Sequence, residues 1–300
     1  MGTNEDILRC ETAALVLPNR LRKRVLSLNT VQKELAEELR LRIGQAMTVL
    51  LPEGEVSLEE IVTAEDLEIL CDLASDFSRY ATMDTLRQGF LSAKGGLRIG
   101  LCGSVVMKNG ETTNLKDISS AVIRIEREKR GIAAPFITDL FQNEVFQSTL
   151  ILSPPGGGKT TLLRDLVRLL SDEKKQRIAL IDERSEVAVV YRGKPQMDIG
   201  SYTDVLDGCP KALGIPMVLR AMNPQIIAVD EITVQEDLKT IAQASGCGVA
   251  ILATIHGIDL EDLMKKPLYR ELLGKNVFRK IIRIERKGVE RIYSVEDVPW

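Results

Sequence analysis

"TLILSPPGGGKTTLLRDLVRLL", Thr149 to Leu170, reads as three elements in a row: a short apolar strand, a glycine-rich turn and an amphipathic helix. Leu162, Leu163, Leu166, Val167 and Leu170 recur at helical spacing and share one face. The apolar run before the turn lacks alternation, as a strand buried on both faces requires. A turn between such a strand and a helix start gathers backbone N–H groups and the positive helix end around one point, where a polyphosphate fits. Gly156, Gly157 and Gly158 let the backbone curl around β-phosphate oxygens, Lys159 reaches the β and γ oxygens, and Thr160 offers a hydroxyl to Mg2+. The expected binding segment is Pro155, Gly156, Gly157, Gly158, Lys159, Thr160 and Thr161. Ser153 stands where the pattern G-x-x-x-x-G-K-S/T has its first glycine, which bears only on the ease of the first turn.

Outward from this loop the texture is that of a parallel sheet between helices, because "RIALID", "QIIAVDE" and "VAILATI" are further short apolar runs separated by helical patterns. In "CPKALGIPMVLRAM" Pro216 is expected to kink or break the helix. The strand "IIAVDEI", Ile226 to Ile232, ends in two carboxylates. Such a pair is a common strand-end surface cap, but downstream of a phosphate loop it reads as chemistry. Asp230 would hold the Mg2+ shell through water, and Glu231 would polarise an attacking water. "IALIDERSEV" puts Asp182 and Glu183 at another strand end, where ligands of open α/β sheets bind, or else as loop carboxylates salt-bridged near Arg184. "VAILATIHG" ends in Thr254 and His256, the histidine being either a satisfied structural group or a γ-phosphate contact.

Before this half lies a mixed pattern of helix and strand. "VQKELAEELRLRIG" begins at helical period and turns into a strand, "QAMTVLLPEG" alternates, and "SLEE" at Ser57 to Glu60 matches a capping box at a helix start, with helices expected to fill much of Leu58 to Ala93. "LRIGLCGSVVMKNGETT" and "SAVIRIE" form a hairpin about Asn109-Gly110. Another hairpin is expected around Lys287-Gly288, near Trp300. The charged stretch "REKRGIAAP" is the linker, giving a smaller N-terminal α+β domain over residues 1–130 and a nucleotide-binding domain over 131–300.

Composition narrows the function. A chain of 300 residues suffices for two cores, and a net charge of −3 with 28% charged residues gives no bulk field for nucleic acid. "RLRKR" at Arg20 to Arg24 is a local basic run, for which a solvated helix face is the simpler reading. Cys10, Cys71, Cys102, Cys209 and Cys247 form no C-x-x-C pair, and one histidine cannot complete a zinc set. "MGTNEDILRC" has no apolar leader, and Asp6 stands where a myristoylation site needs Ser or Thr. With no window of 18 apolar residues, the expected place is the cytoplasm.

Four boxes in this order, the phosphate loop, "LIDERSE", "LRAMNPQIIAVDEI" and "GVAILATIHGID", resemble those of the secretion ATPase superfamily of type II and type IV secretion and pilus motors. "GGLRIGLCGSVV" and "SSAVIRIEREKRGI" look like the arginine-bearing strands that lead into that motor domain. From about residue 95 onward the motifs are similar to a sporulation group of the superfamily. This chain differs from many members in Asp-Glu for Gly-Glu, Thr233-Val234 for the following Arg-Asp, and "IDE" for "IED". The resemblance implies a RecA-like P-loop NTPase motor domain, ATP and Mg2+ as substrate and cofactor, and a homo-oligomeric ring, expected to be a hexamer. It also implies partners among membrane proteins of a channel between mother cell and forespore, which would hold the chain peripherally at a membrane. Asp182, Glu183, Glu231 and His256 then become the catalytic candidates, with Arg98 and Arg124 as arginines acting on a neighbouring subunit's nucleotide. Arg220 matches a further arginine of the family.

Three rivals share parts of this pattern. An ATP-dependent switch or scaffold would bind without turnover. A RecA-type nucleic-acid motor would want a basic, aromatic-lined channel, against 4% aromatics here. A small-molecule kinase would want a lid, for which the second half has no clear insertion.

Overall fold

Alternation of apolar and polar residues in the first part of the chain builds an antiparallel sheet. The computed structural model describes residues 3–76, 86, 89–108, 111–125, 128–287 and 290–298. It divides into two units, residues 1–128 with 191–196, and residues 129–190 with 197–300.

The first unit carries β1 (Glu38–Arg42), β2 (Ala46–Leu51), β3 (Gly54–Ile61), β4 (Phe90–Ala93), β5 (Leu97–Lys108) and β6 (Glu111–Arg124) in the order β3-β2-β1-β6-β5-β4. Every neighbouring pair is antiparallel. Leu39, Leu41, Met47, Val49, Ile99 and Ile123 enter one core with Cys10, Leu21, Val25, Leu67 and Leu70 of the helices Thr3–Ala14, Asn19–Leu26 and Ala64–Ala74. The residues between them in sequence point away from that core. Arg98 lies directly across from Arg124, and Arg40 and Arg42 follow on the next strand. Arg98 stacks over the Phe90 ring at 4.4 Å, and Arg124 Nε is 3.8 Å from Glu38 Oε1.

Two expectations for this unit are corrected. Ser57 to Glu60 is no helix start but part of β3, where Ser57 pairs with Thr48 and Val56 with Val49. Within Leu58 to Ala93 the helix starts later, with the capping box Thr63 to Asp66, and runs over Ala64–Ala74; Phe90–Ala93 is a strand, and 77–85 and 87–88 lie outside the described residues. Cross-strand pairing after the turn at Gly54 outweighs a local capping pattern. Asn109-Gly110 and Gly288 lie outside the described residues. The basic run "RLRKR" lies on the helix Asn19–Leu26 with Lys23 and Arg24 exposed, as a solvated face requires, and its arginines have partners within the unit. Arg20 Nη1 meets Glu60 Oε2 at 3.0 Å, Arg24 Nε meets Glu60 Oε1 at 3.1 Å, and Arg22 donates to the carbonyls of Ala14, Leu15 and Leu17.

In the second unit the short strands β7 (Phe141–Gln142) and β8 (Val145–Phe146) precede the main sheet. Its strands are β9 (Thr149–Ser153), β10 (Ile178–Asp182), β13 (Thr203–Asp207), β14 (Ile226–Val229), β15 (Ala250–His256), β16 (Lys280–Lys287) and β17 (Glu290–Asp297). The small pair β11 (Val190–Tyr191) and β12 (Lys194–Pro195) interrupts the chain between β10 and β13. The order is β13-β10-β14-β15-β9-β16-β17, parallel throughout except for the last hairpin.

Successive residues of these strands feed opposite cores. Ile151, Leu180, Ala228 and Leu252 pack with Leu162, Leu163, Leu166, Val167 and Leu170 of the helix Lys159–Asp172. Leu152, Ile181, Val229 and Ala253 pack with Ile215, Leu238 and Ile241 of the helices Lys211–Ala221 and Gln235–Gly246. This explains strands without alternation. Pro216 does not break its helix, which runs unbroken from Lys211 to Ala221. The proline removes one backbone donor, while buried Ile215 and Val218 keep the segment on the sheet. Among the described residues, no helix is long and apolar enough to cross a membrane.

Candidate nucleotide site

Parallel strands end together, so the carboxyl ends of β9, β15, β14 and β10 line one edge of the second unit's sheet. Their register sets Ser153 beside His256, and Val229 between Ala253 and Ile181. The phosphate loop leaves β9 at this edge and re-enters the fold as the helix beginning at Lys159.

The glycines of the loop answer to specific neighbours. A Cβ on Gly157 would fall 1.6 Å from Ser153 Oγ, so the serine at the first glycine position occupies space that only glycine at 157 leaves open. Gly158 has φ +101, and a Cβ there would meet Arg291 Nε at 3.0 Å. Arg291 reaches across from β17 and donates from Nε to the Gly157 carbonyl at 2.9 Å.

Behind the loop two hydrogen-bonded chains meet at Glu231. In one, Lys159 Nζ is 2.7 Å from His256 Nδ1, and His256 Nε2 is 3.0 Å from Glu231 Oε1. A lysine ammonium has only protons to offer, so Nδ1 accepts and Nε2 carries the proton donated to Glu231. In the other, Thr160 Oγ1 donates to Asp230 Oδ2 at 3.0 Å, and Thr254 Oγ1 donates to Asp230 Oδ1 at 2.5 Å. Thr254 Oγ1 in turn accepts from the Glu231 backbone N–H at 2.8 Å. That bond holds Glu231 at φ 37, the left-handed region that a glutamate occupies only when its surroundings impose it.

Lys159 is 7% exposed, and loss of water pushes its pKa below the ordinary lysine value, partly opposed by the charges of Asp230 and Glu231. Thr160 and Asp230 offer a hydroxyl and a carboxylate side by side. This hard-oxygen pair fits Mg2+, which takes few protein ligands and completes its shell with water and phosphate oxygens.

The strand end of β10 has a different organisation. Asp182 is 1% exposed and accepts from the backbone N–H groups of Glu186, Val187 and Ala188 at 2.9, 3.0 and 2.8 Å. Burial pushes its pKa up, and those three donors pull against that shift. Glu183 is paired with the buried ammonium of Lys211. The structure therefore brings Lys159, Thr160, Asp230, Glu231 and His256 together, and ties Asp182 and Glu183 to the loop and to the neighbouring helix. Arg98 and Arg124 belong to the first unit, and Arg220 donates from Nε to the Pro216 carbonyl of its own helix at 3.1 Å.

Sequence reading missed Arg291 and gave Arg184 only a salt-bridging part. Both are exposed arginines, Arg291 in a segment with no motif of its own and Arg184 inside the "LIDERSE" box, and only the tertiary fold shows what they reach. Arg184 Nη1 lies 3.3 Å from Glu231 Oε2.

Strand order, phosphate loop and strand-end acidic pair define a P-loop NTPase fold of the RecA-like type, preceded by a separate N-terminal domain. The profile of the family described as "Sporulation stage III, protein AA" matches residues 8–296, and the chain belongs to that family. It is 38% identical over 289 residues to Stage III sporulation protein AA of Bacillus subtilis, covering 95% of this chain and 94% of the relative. Among solved structures it is similar to the ATPase DotB of Yersinia pseudotuberculosis, with a TM-score of 0.62 at 14% identity over 94% of this chain and 80% of the other. The pilus retraction motor PilT with bound ADP gives 0.59 at 16% identity, over 87% and 78%. At such identities the likeness is one of fold.

Proposed function

We propose that the chain is an ATP-hydrolysing motor of the secretion ATPase type that powers assembly of, or transport through, a sporulation channel between mother cell and forespore. The observation that carries this reading is the chain Lys159–His256–Glu231 behind the phosphate loop, with the Thr160–Asp230 pair beside it. Pro155 to Thr161 hold the phosphates, and Thr160 and Asp230 hold Mg2+, which when bound neutralises charge on the β- and γ-phosphates. Glu231 orients the attacking water and takes up its proton, while His256 keeps that carboxylate in register with the lysine. Asp182 shapes the adjoining loop and does not itself touch the water. Arg98 and Arg124 supply charge to a neighbouring subunit's nucleotide in a hexameric ring, and membrane proteins of the channel take up the force. The relationship to the Bacillus subtilis sporulation protein supports the setting, and the fold shared with DotB and PilT supports the motor.

The test is the solution mass of Glu231→Gln by light scattering, with and without MgATP. A rise to the mass of a hexamer supports the ring motor. A monomer that holds ATP favours an ATP-dependent switch on the channel.

A further inference from the structure

The loop between β10 and residue 188 is pinned on every side except one. Asp182 accepts from three of its backbone N–H groups, and the Asp182 carbonyl accepts from Gly208 N at 3.0 Å. Glu183 is paired with Lys211, and Ser185 with Asp207. From beneath, Arg164, 4% exposed, donates to the carbonyls of Val187 and Glu186, each at 2.7 Å. A segment held this firmly presents Arg184 from a fixed base.

Arg184 is itself lightly held. Its side chain is 61% exposed, and among the described residues its one ion pair is the single contact of Nη1 with Glu231 Oε2. An exposed one-point ion pair contributes little and exchanges readily for a partner of higher charge. Its place matters more than its strength. Glu231 has Oε1 engaged by His256 and Oε2 engaged by Arg184, so each oxygen that would hold the attacking water already has one partner, and the one on Oε2 is a full positive charge that lowers its basicity. The other arginine at the loop, Arg291, donates from Nε to the Gly157 carbonyl, whereas Arg184 is an arginine paired with Glu231 itself.

We infer that Arg184 is a γ-phosphate sensor within the same chain: it caps Glu231 when the site is empty and transfers to the γ-phosphate when ATP binds, freeing Glu231 Oε2 for the water. This inference rests on the ATPase reading of the site. It makes hydrolysis competence depend on the third phosphate, because ADP offers Arg184 nothing to leave Glu231 for. No bond is made or broken in the exchange, in which one charge-assisted hydrogen bond replaces another.

The test compares equilibrium affinities for MgATP and MgADP in the wild-type chain, Arg184→Ala and Arg184→Lys. The exposed position predicts unchanged thermal unfolding for both variants. Arg184→Ala should bind MgADP as the wild type does and lose about tenfold or more in MgATP affinity, the value of one charged contact, with Arg184→Lys restoring part of it. An unchanged ratio of the two affinities in Arg184→Ala, or an equal fall in both, would overturn the sensor. A wild-type chain that binds neither nucleotide would instead overturn the ATPase reading, and the sensor with it.

Discussion

His256 Nε2 lies 3.0 Å from Glu231 Oε1, and the far side of the same ring meets the phosphate-loop lysine. The histidine thus links the Glu231 carboxylate to the Lys159 ammonium, the two groups proposed to face the water and the phosphates. Residues acting as such a unit fail together. Glu231→Gln should lower turnover by about 10²- to 10⁴-fold, the range for losing a positioned base, while retaining MgATP. His256→Ala should cost turnover as well, and the double variant should be little worse than Glu231→Gln alone. Steady-state hydrolysis by the four proteins measures this, and costs that multiply would show two independent roles.

The serine at the first glycine position sets a dependence between Ser153 and Gly157. Because a Cβ at Gly157 collides first with Ser153 Oγ, Gly157→Ala should abolish MgATP binding in the native background. Ser153→Gly should be tolerated alone and should rescue part of the loss, since the Pro154 carbonyl at 3.0 Å remains in the way. Fluorescent-nucleotide titration of the three variants decides it, and absence of any rescue would place the clash elsewhere.

The depressed pKa of Lys159 gives a signed pH effect. Burial lowers it in the empty site, and bound phosphate charge raises it again. The bound state therefore holds the proton more tightly, and binding takes up protons between the two pKa values. MgATP affinity should be full below the empty-site pKa and fall as the pH rises through it toward the bound-site value. Calorimetry in two alkaline buffers of different ionisation enthalpy should show proton uptake, whereas release would contradict the assignment.

Much of this arrangement was legible because buried parallel strands leave a pattern. "TLILS", "IALID", "IIAV" and "AILATIH" stand out as apolar runs; Asp230, Glu231 and His256 sit at strand ends, and Lys159 opens the helix after the loop that leaves β9. Where the sequence misled, the deciding contact was distant. Ser57-x-x-Glu60 satisfies a capping pattern as well as Thr63-x-x-Asp66 does, and only the pairing with β2 tells them apart. Pro216 reads locally as a kink or a break, and the break does not occur, since burial of its neighbours holds the helix. Arg291 carries no local signal, and the box that contains Arg184 does not say what its side chain reaches, since an exposed arginine looks alike in sequence whatever its partner.

The most direct test is phosphate release from ATP by the wild-type chain and by Lys159→Ala, each with and without Mg2+. The account predicts Mg-dependent release by the wild type that is lost in Lys159→Ala. Equal release by both proteins, or none from a wild-type chain assembled with its membrane partners, would contradict it.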